Sequence, residues 1–286
     1  MRLATAIRCF DIQLAADGKS EHTRGAYLRD LTKFRDWLRG DPDIVSIAPG
    51  TLARYLTRKA PVTIPAISGN RTKTALRVFF RFLVAAGYMD TDPARLIKNG
   101  RTEPKIPAHL TAAEARRLMS AIRVARSNAA DRDRALFAFL LYTGIRLGSA
   151  IELRVRDVNL GQRTAQINGK GGARQSVYLN SSVRRFLKSH IKAFGLTPDD
   201  ALFPSRSGGH LCARQVQLRF KHWLDKAGIT RHLTVHSTRH TFAMNLYRSS
   251  GNLRLVQTAL GHRHISTTEI YARVEDKTLR RALERL

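Results

Sequence analysis

The residues most able to do chemistry lie in four short segments of basic and hydroxyl side chains. The first is Thr143–Gly144–Ile145–Arg146, at a break between helical patterns. The second is the glycine-rich turn Gly169–Lys170–Gly171–Gly172, and the third is His236–Ser237–Thr238–Arg239–His240. The fourth is Leu260–Gly261–His262, followed nine residues later by Tyr271. Planar guanidinium groups offer paired donors that match phosphoryl oxygens. A phenol, with a pKa of about 10, becomes a nucleophile near neutral pH only beside a base or a cationic surround. Lysine can deliver a proton to a leaving oxygen, and histidine can accept or return one. No acidic cluster has metal-ligand spacing, and no GxxxxGK[ST] loop is present. Neither a two-metal mechanism nor ATP is implied, and no cofactor is expected. Each segment alone is a weak signal.

The elements that must position these groups are mainly helical. Ser20 opens a helix over 20–39, with Tyr27, Leu28, Leu31, Phe34, Trp37 and Leu38 at three- and four-residue spacing. A short helix follows at 50–60, and another at 71–86 carries Leu76, Phe79, Phe80 and Leu83 on its apolar face. Arg71, Lys73, Arg77 and Arg81 are interleaved along that helix as candidate DNA contacts. Gly100, Pro104 and Pro107 interrupt the pattern at 98–107. Thr111 and Glu114 then have capping-box spacing. The organisation expected is a helical domain over 1–100, a linker over 101–110 and a second domain over 111–286. In the second domain, helices at 131–143 and 147–153 precede strands at 163–168 and 174–179 around the Lys170 turn. Further helices are read at 181–194, 212–227, 236–249, 252–260 and 266–284.

Composition agrees with two domains. The chain has 286 residues, and about 150 per domain is typical. At 43% apolar content it can bury a core. The formal net charge is +28, and both parts are basic, 1–100 by +8 and 101–286 by +20. Such an excess repels itself in a compact fold, so a polyanionic partner is expected, and nucleic acid before a membrane surface. No apolar run is long enough to span a bilayer, and no signal peptide is read at the N-terminus. Cys9 and Cys212 fit no metal spacing and are read as buried packing residues in a reducing compartment.

Taken together and in this order, TGIR at 143–146, GKGGARQSVYL at 169–179, HSTRHTFA at 236–243 and LGHRHISTTEIYARV at 260–274 resemble the tyrosine recombinase (phage integrase) family. The likeness is greatest to Xer-like and short transposon or plasmid enzymes. It implies a mainly α fold with a small β-hairpin sheet. It also implies a two-domain clamp, in which a helical, SAM-like core-binding domain and a catalytic domain grip duplex DNA. By matching position, Tyr271 would be the nucleophile that forms a 3′-phosphotyrosyl intermediate, and Arg146 and Arg239 would grip the scissile phosphate. Lys170 would be the hairpin lysine, His236 the histidine of the His-x-x-Arg pair, and His262 the LGH histidine.

The partners implied are double-stranded DNA with a specific recombination site and a homotetramer on two synapsed sites. An accessory DNA-bending protein or a sister recombinase are further partners of this kind. A cytoplasmic, nucleoid-associated location follows. Ser149 departs from the family, which usually has Glu or Asp there, and Glu152, one turn further, is the substitute considered. Thr238 and Met244 are milder departures. The terminal segment 275–286 reads as an amphipathic helix, packed in cis or docked on a neighbouring protomer. Two other readings compete: relaxation of DNA in the manner of a type IB topoisomerase, and site recognition without cleavage.

Overall fold

The computed structural model describes residues 1–58, 66–100, 107–125, 127–168, 174–261 and 268–272. The chain divides into two compact units, Met1–Glu103 and Pro104–Leu286.

The first unit is helical: α1 (Leu3–Ala16), α2 (Glu21–Trp37), α3 (Pro49–Arg58) and α4 (Ala66–Ala85). Ser20 caps α2, as its sequence position predicts, by accepting from the Thr23 amide. Helix α1 was not anticipated from the sequence. Its Leu3, Ile7, Phe10 and Leu14 recur at helical spacing and are all buried. Burying each such side chain is worth about 1.5–3 kcal/mol, which fastens α1 to the unit. Phe10 meets Phe79 of α4 edge-on, with ring centroids 5.4 Å apart. Helix α4 also starts earlier than its apolar face suggests.

The second unit holds α5 (Ala112–Val124), α6 (Asn128–Thr143), α7 (Leu147–Ile151), α8 (Ser181–Phe194), α9 (Ala213–Lys226), α10 (His236–Ser250) and α11 (Leu253–Leu260). A three-stranded antiparallel sheet, β1 (Val158–Asn159), β2 (Thr164–Asn168) and β3 (Arg174–Tyr178), has the order β1-β2-β3. The β2–β3 hairpin pairs Asn168 with Arg174 and Thr164 with Tyr178. The capping box at Thr111 and Glu114 is formed in both directions. Helix α6 is the core of the unit, buried from Ala135 through Leu141, with α5, α8 and α10 packed around it.

Within α6, Asp133 is fully buried. Its carboxylate receives Arg219 Nε at 2.6 Å, Trp223 Nε1 at 2.7 Å and Arg132 Nη2 at 3.0 Å. These donors compensate the desolvation that a lone buried carboxylate would suffer.

Neither cysteine is the buried packing residue expected from the sequence. Cys212 is exposed and Cys9 only half-buried. Cys212 sits at the N-cap of α9, where its Sγ accepts from the Gln215 amide at 3.4 Å. A side chain serving the orphan amides of a helix start lies at the helix end rather than in the core. Among the described residues, no helix is long and apolar enough to cross a membrane.

Candidate active site

Glycine makes the first turn of the site. Helix α6 ends at Gly144, whose φ of +64° is left-handed. A Cβ there would stand 2.3 Å from Phe242 Cδ1 of α10. Only glycine satisfies both the backbone and this close approach. The turn sets Arg146, exposed, at the N-cap of α7.

Arg239, on α10, is the hub. Its side chain is buried, and its Nη1 donates to Gly144 O at 2.7 Å while Nη2 donates to Leu260 O at 2.8 Å. One guanidinium therefore joins the ends of α6 and α11, elements 95 and 21 residues away in sequence. Burial, and then the charge of Arg146, bring its pKa down to about 10, while Tyr271 acts in the opposite sense. Arg239 thus remains a cation at neutral pH.

Tyr271 lies in a helical segment over 269–272 and is 2% exposed, packed with Ala243, Met244, Val256 and Leu260. Burial pushes its phenol upward, and Arg239 pulls it back. Its hydroxyl is 2.9 Å from His240 Nδ1. One helical turn earlier, His236 meets the His240 ring edge-on at 4.6 Å. Desolvation lowers the His236 pKa, and the charges of Arg239 and Arg146 lower it further.

The structure brings Arg146, His236, Arg239 and Tyr271 together. Lys170 and His262 lie outside the described residues, as does the segment 275–286 that the sequence predicts to be helical. Described neighbours of both segments do meet. Gly261, in left-handed conformation at the end of α11, approaches β3 so closely that a Cβ would stand 2.5 Å from Gln175 Oε1.

Ser149 donates to Asn168 O at 3.0 Å, tying α7 to the end of β2. Glu152 is the C-cap of α7 and shares a cleft of about 350 Å³ with Ser149 and Arg174. In the first unit, Arg71 pairs with Asp30, its Nη2 donating at 2.9 Å to a carboxylate that is almost fully buried while its own side chain stays 43% exposed. Arg81 is exposed, and Lys73 and Arg77 are half-buried.

Sequence reasoning gave no role to His240 or Thr241. Thr241 Oγ1 receives the Leu110 amide at 2.8 Å, fastening the start of this unit to α10. The available signal for His240 was its position four residues after His236, on the same helical face.

Such a site can bind an anion between guanidinium groups beside a phenol. Residues 108–278 match the phage integrase family, and residues 7–87 match the phage integrase N-terminal SAM-like domain. The chain is 33% identical over 258 residues to tyrosine recombinase XerC of Xanthomonas campestris pv. campestris (strain B100), covering 90% of this chain and 80% of that protein. It is 30% identical over 271 residues to tyrosine recombinase XerD of Ralstonia nicotianae, covering 92% and 87%. The fold is similar to that of the XerH site-specific recombinase in a post-cleavage complex with palindromic difH substrate. There the TM-score is 0.79 at 24% identity, over 94% of this chain and 81% of that one. A lambda integrase dimer bound to a COC′ core site gives a TM-score of 0.77 at 20% identity, over 93% and 97%. With its four motif segments in order and both regions matched, the chain belongs to the phage integrase family, the tyrosine recombinases.

Proposed function

We propose that the protein is a site-specific DNA recombinase that cuts and rejoins strands through Tyr271. The phenolic oxygen attacks the scissile phosphorus, the bond to the 5′ oxygen breaks, and a 3′-phosphotyrosyl bond retains its energy. Attack by a 5′ hydroxyl reverses the step and releases the phenol, so neither ATP nor metal is needed. Arg146 and Arg239 neutralise the charge that builds on the non-bridging oxygens. Arg239 has five N–H donors and spends two on backbone carbonyls, which leaves three for a phosphate. Lys170 gives the leaving 5′ oxygen its proton, and His236 and His262 serve proton transfer and phosphate binding.

The observation that carries this reading is the placement of Arg239. It is locked to both Gly144 O and Leu260 O, and within electrostatic reach of Arg146 and Tyr271. A protein that only recognises DNA has no use for the full set Arg146, Lys170, His236, Arg239, His262 and Tyr271.

The domain over 1–100 and the catalytic domain over 111–286 act as a clamp on duplex DNA, with Arg71, Lys73, Arg77 and Arg81 as backbone contacts. A homotetramer on two sites exchanges the strands, and deleting residues 275–286 should impair cooperative assembly more than single-site binding.

The test uses nicked duplexes drawn from DNA flanking the gene and from a randomised pool. A covalent adduct that survives SDS, lost in Tyr271→Phe with binding retained, is the expected result. Binding without any adduct favours a recognition factor. Relaxation of any supercoiled plasmid, without recombinant products, favours a topoisomerase.

A further inference from the structure

We infer that His240 is a positioning residue for the nucleophile. It would hold the Tyr271 hydroxyl beside Arg239 through its Nδ1, and the inference rests on the recombinase reading above. Three observations carry it. His240 Nδ1 and the Tyr271 hydroxyl are at hydrogen-bond distance, 2.9 Å. The two residues are 31 apart in sequence, so the contact is tertiary and not a by-product of helical periodicity. Finally, Tyr271 is held where it senses the charge of Arg239, the group that would bind the phosphate.

Geometry separates orientation from simple packing. The rings of His240 and Tyr271 are tilted at 53° with centroids 5.9 Å apart, so they do not stack face to face. The ring of His236 stands edge-on to His240 on the other contact, at an interplanar angle of 87°. A phenol can rotate about its side-chain bonds, and a hydrogen bond at its far end removes that freedom before attack. Misplacing a reacting atom by about 1 Å costs on the order of 10²-fold in rate. The role differs from that of His236, which lies one turn earlier and has no hydrogen bond to the phenol among the described contacts.

Two substitutions divide the possibilities. In His240→Asn, Oδ1 stands the same number of bonds from Cβ as Nδ1 and can accept from the phenol, though the ring volume is lost. In His240→Phe, the volume is kept and the acceptor removed. Adduct formation is followed in a single turnover at saturating protein, with nicked duplexes selected from a randomised pool on the wild type. The expected result is that Asn stays within about tenfold of wild type while Phe slows by on the order of 10²-fold. DNA affinity should be unchanged in both. A Phe variant as fast as the Asn variant, or faster than wild type, would overturn the role. So would an Asn variant as slow as Phe.

A second measurement needs no DNA. In ¹⁵N-histidine-labelled protein, the His240 Nδ1 resonance is identified by its loss in His240→Asn. It should shift in Tyr271→Phe, and an unmoved resonance refutes the contact itself. A wild type that forms no adduct with any duplex overturns the recombinase reading, and this role with it. The nitrogen shift reports separately on the bond.

Discussion

Replacing Gly144 by alanine tests how the site is built. Two costs are expected. A non-glycine residue in left-handed backbone costs about 1–2 kcal/mol, and Gly144 has φ +64°. The new Cβ would also stand 2.3 Å from Phe242 Cδ1 and 2.8 Å from Cγ. Neither can hold, so the ring or the 144–146 turn must move, at about 1–3 kcal/mol for overpacking. The sum is about 2–5 kcal/mol. The displacement falls on Gly144 O, which receives Arg239 Nη1, and on the turn bearing Arg146.

Urea denaturation would measure the loss. The chain has two tryptophans, Trp37 in the first unit and Trp223 in the second. In a Trp37→Phe background, Trp223 fluorescence reports the second unit alone. Phe242→Ala should relieve the overpacking share and leave the backbone share. The double-mutant cycle should then show about 1–3 kcal/mol of favourable coupling. A loss below about 1 kcal/mol for Gly144→Ala, or a cycle without coupling, would refute the steric account of this turn.

Other outcomes follow from the same contacts. Arg239→Lys replaces a fork that spans two carbonyls with a single ammonium. Adduct formation should fall by at least about 10²-fold, a loss typical when one electrostatic donor is removed; near-normal rates would contradict the bridging role. Arg231 holds the Glu114 carboxyl at about 2, down from 4.5, and its Nε donates to Glu114 at 2.7 Å. This stabilisation is complete above the unfolded value of 4.5 and disappears as pH falls toward 2. Because the Arg231 side chain is 44% exposed, screening limits the gain to about 1 kcal/mol. Wild type and Glu114→Gln should therefore differ in stability at pH 7 and converge near pH 2, as read by denaturant midpoints. If each protomer neutralises about eight phosphates, log affinity should fall against log salt with a slope of roughly −7; a flat response would mean the +28 charge serves another purpose.

Much of the fold was legible because its signals are local. The Thr111–Glu114 box, the Ser20 cap and the glycine break at 144 are decided by a few adjacent residues, and each stands where its spacing predicts. The hairpin was legible too, since the alternation on either side of a glycine-rich turn fixes β2 and β3 to within a residue. Helix α1 was legible too, since its buried Leu3, Ala6, Ile7, Phe10 and Leu14 recur at helical spacing, but its first turn follows the N-terminus with no side-chain cap to mark a start. What adjacent residues do not show is that Arg71, a candidate DNA contact, also pairs with Asp30 of α2, 41 residues away.

The sequence by itself determined the inventory of the site: a phenol, guanidinium groups, imidazoles and the glycines that break helices beside them. It also determined the family, because four motifs in a fixed order are a one-dimensional property. Tertiary structure alone decided that Arg239 bridges Gly144 and Leu260, that Phe242 forbids a side chain at 144, and that His240 Nδ1 meets the Tyr271 hydroxyl. The physical reason is range. Caps, turns and periodicity are settled within a few residues, whereas these contacts join residues 21 to 98 apart, and only the packing of α6, α10, α11 and the segment over 269–272 brings such residues into contact.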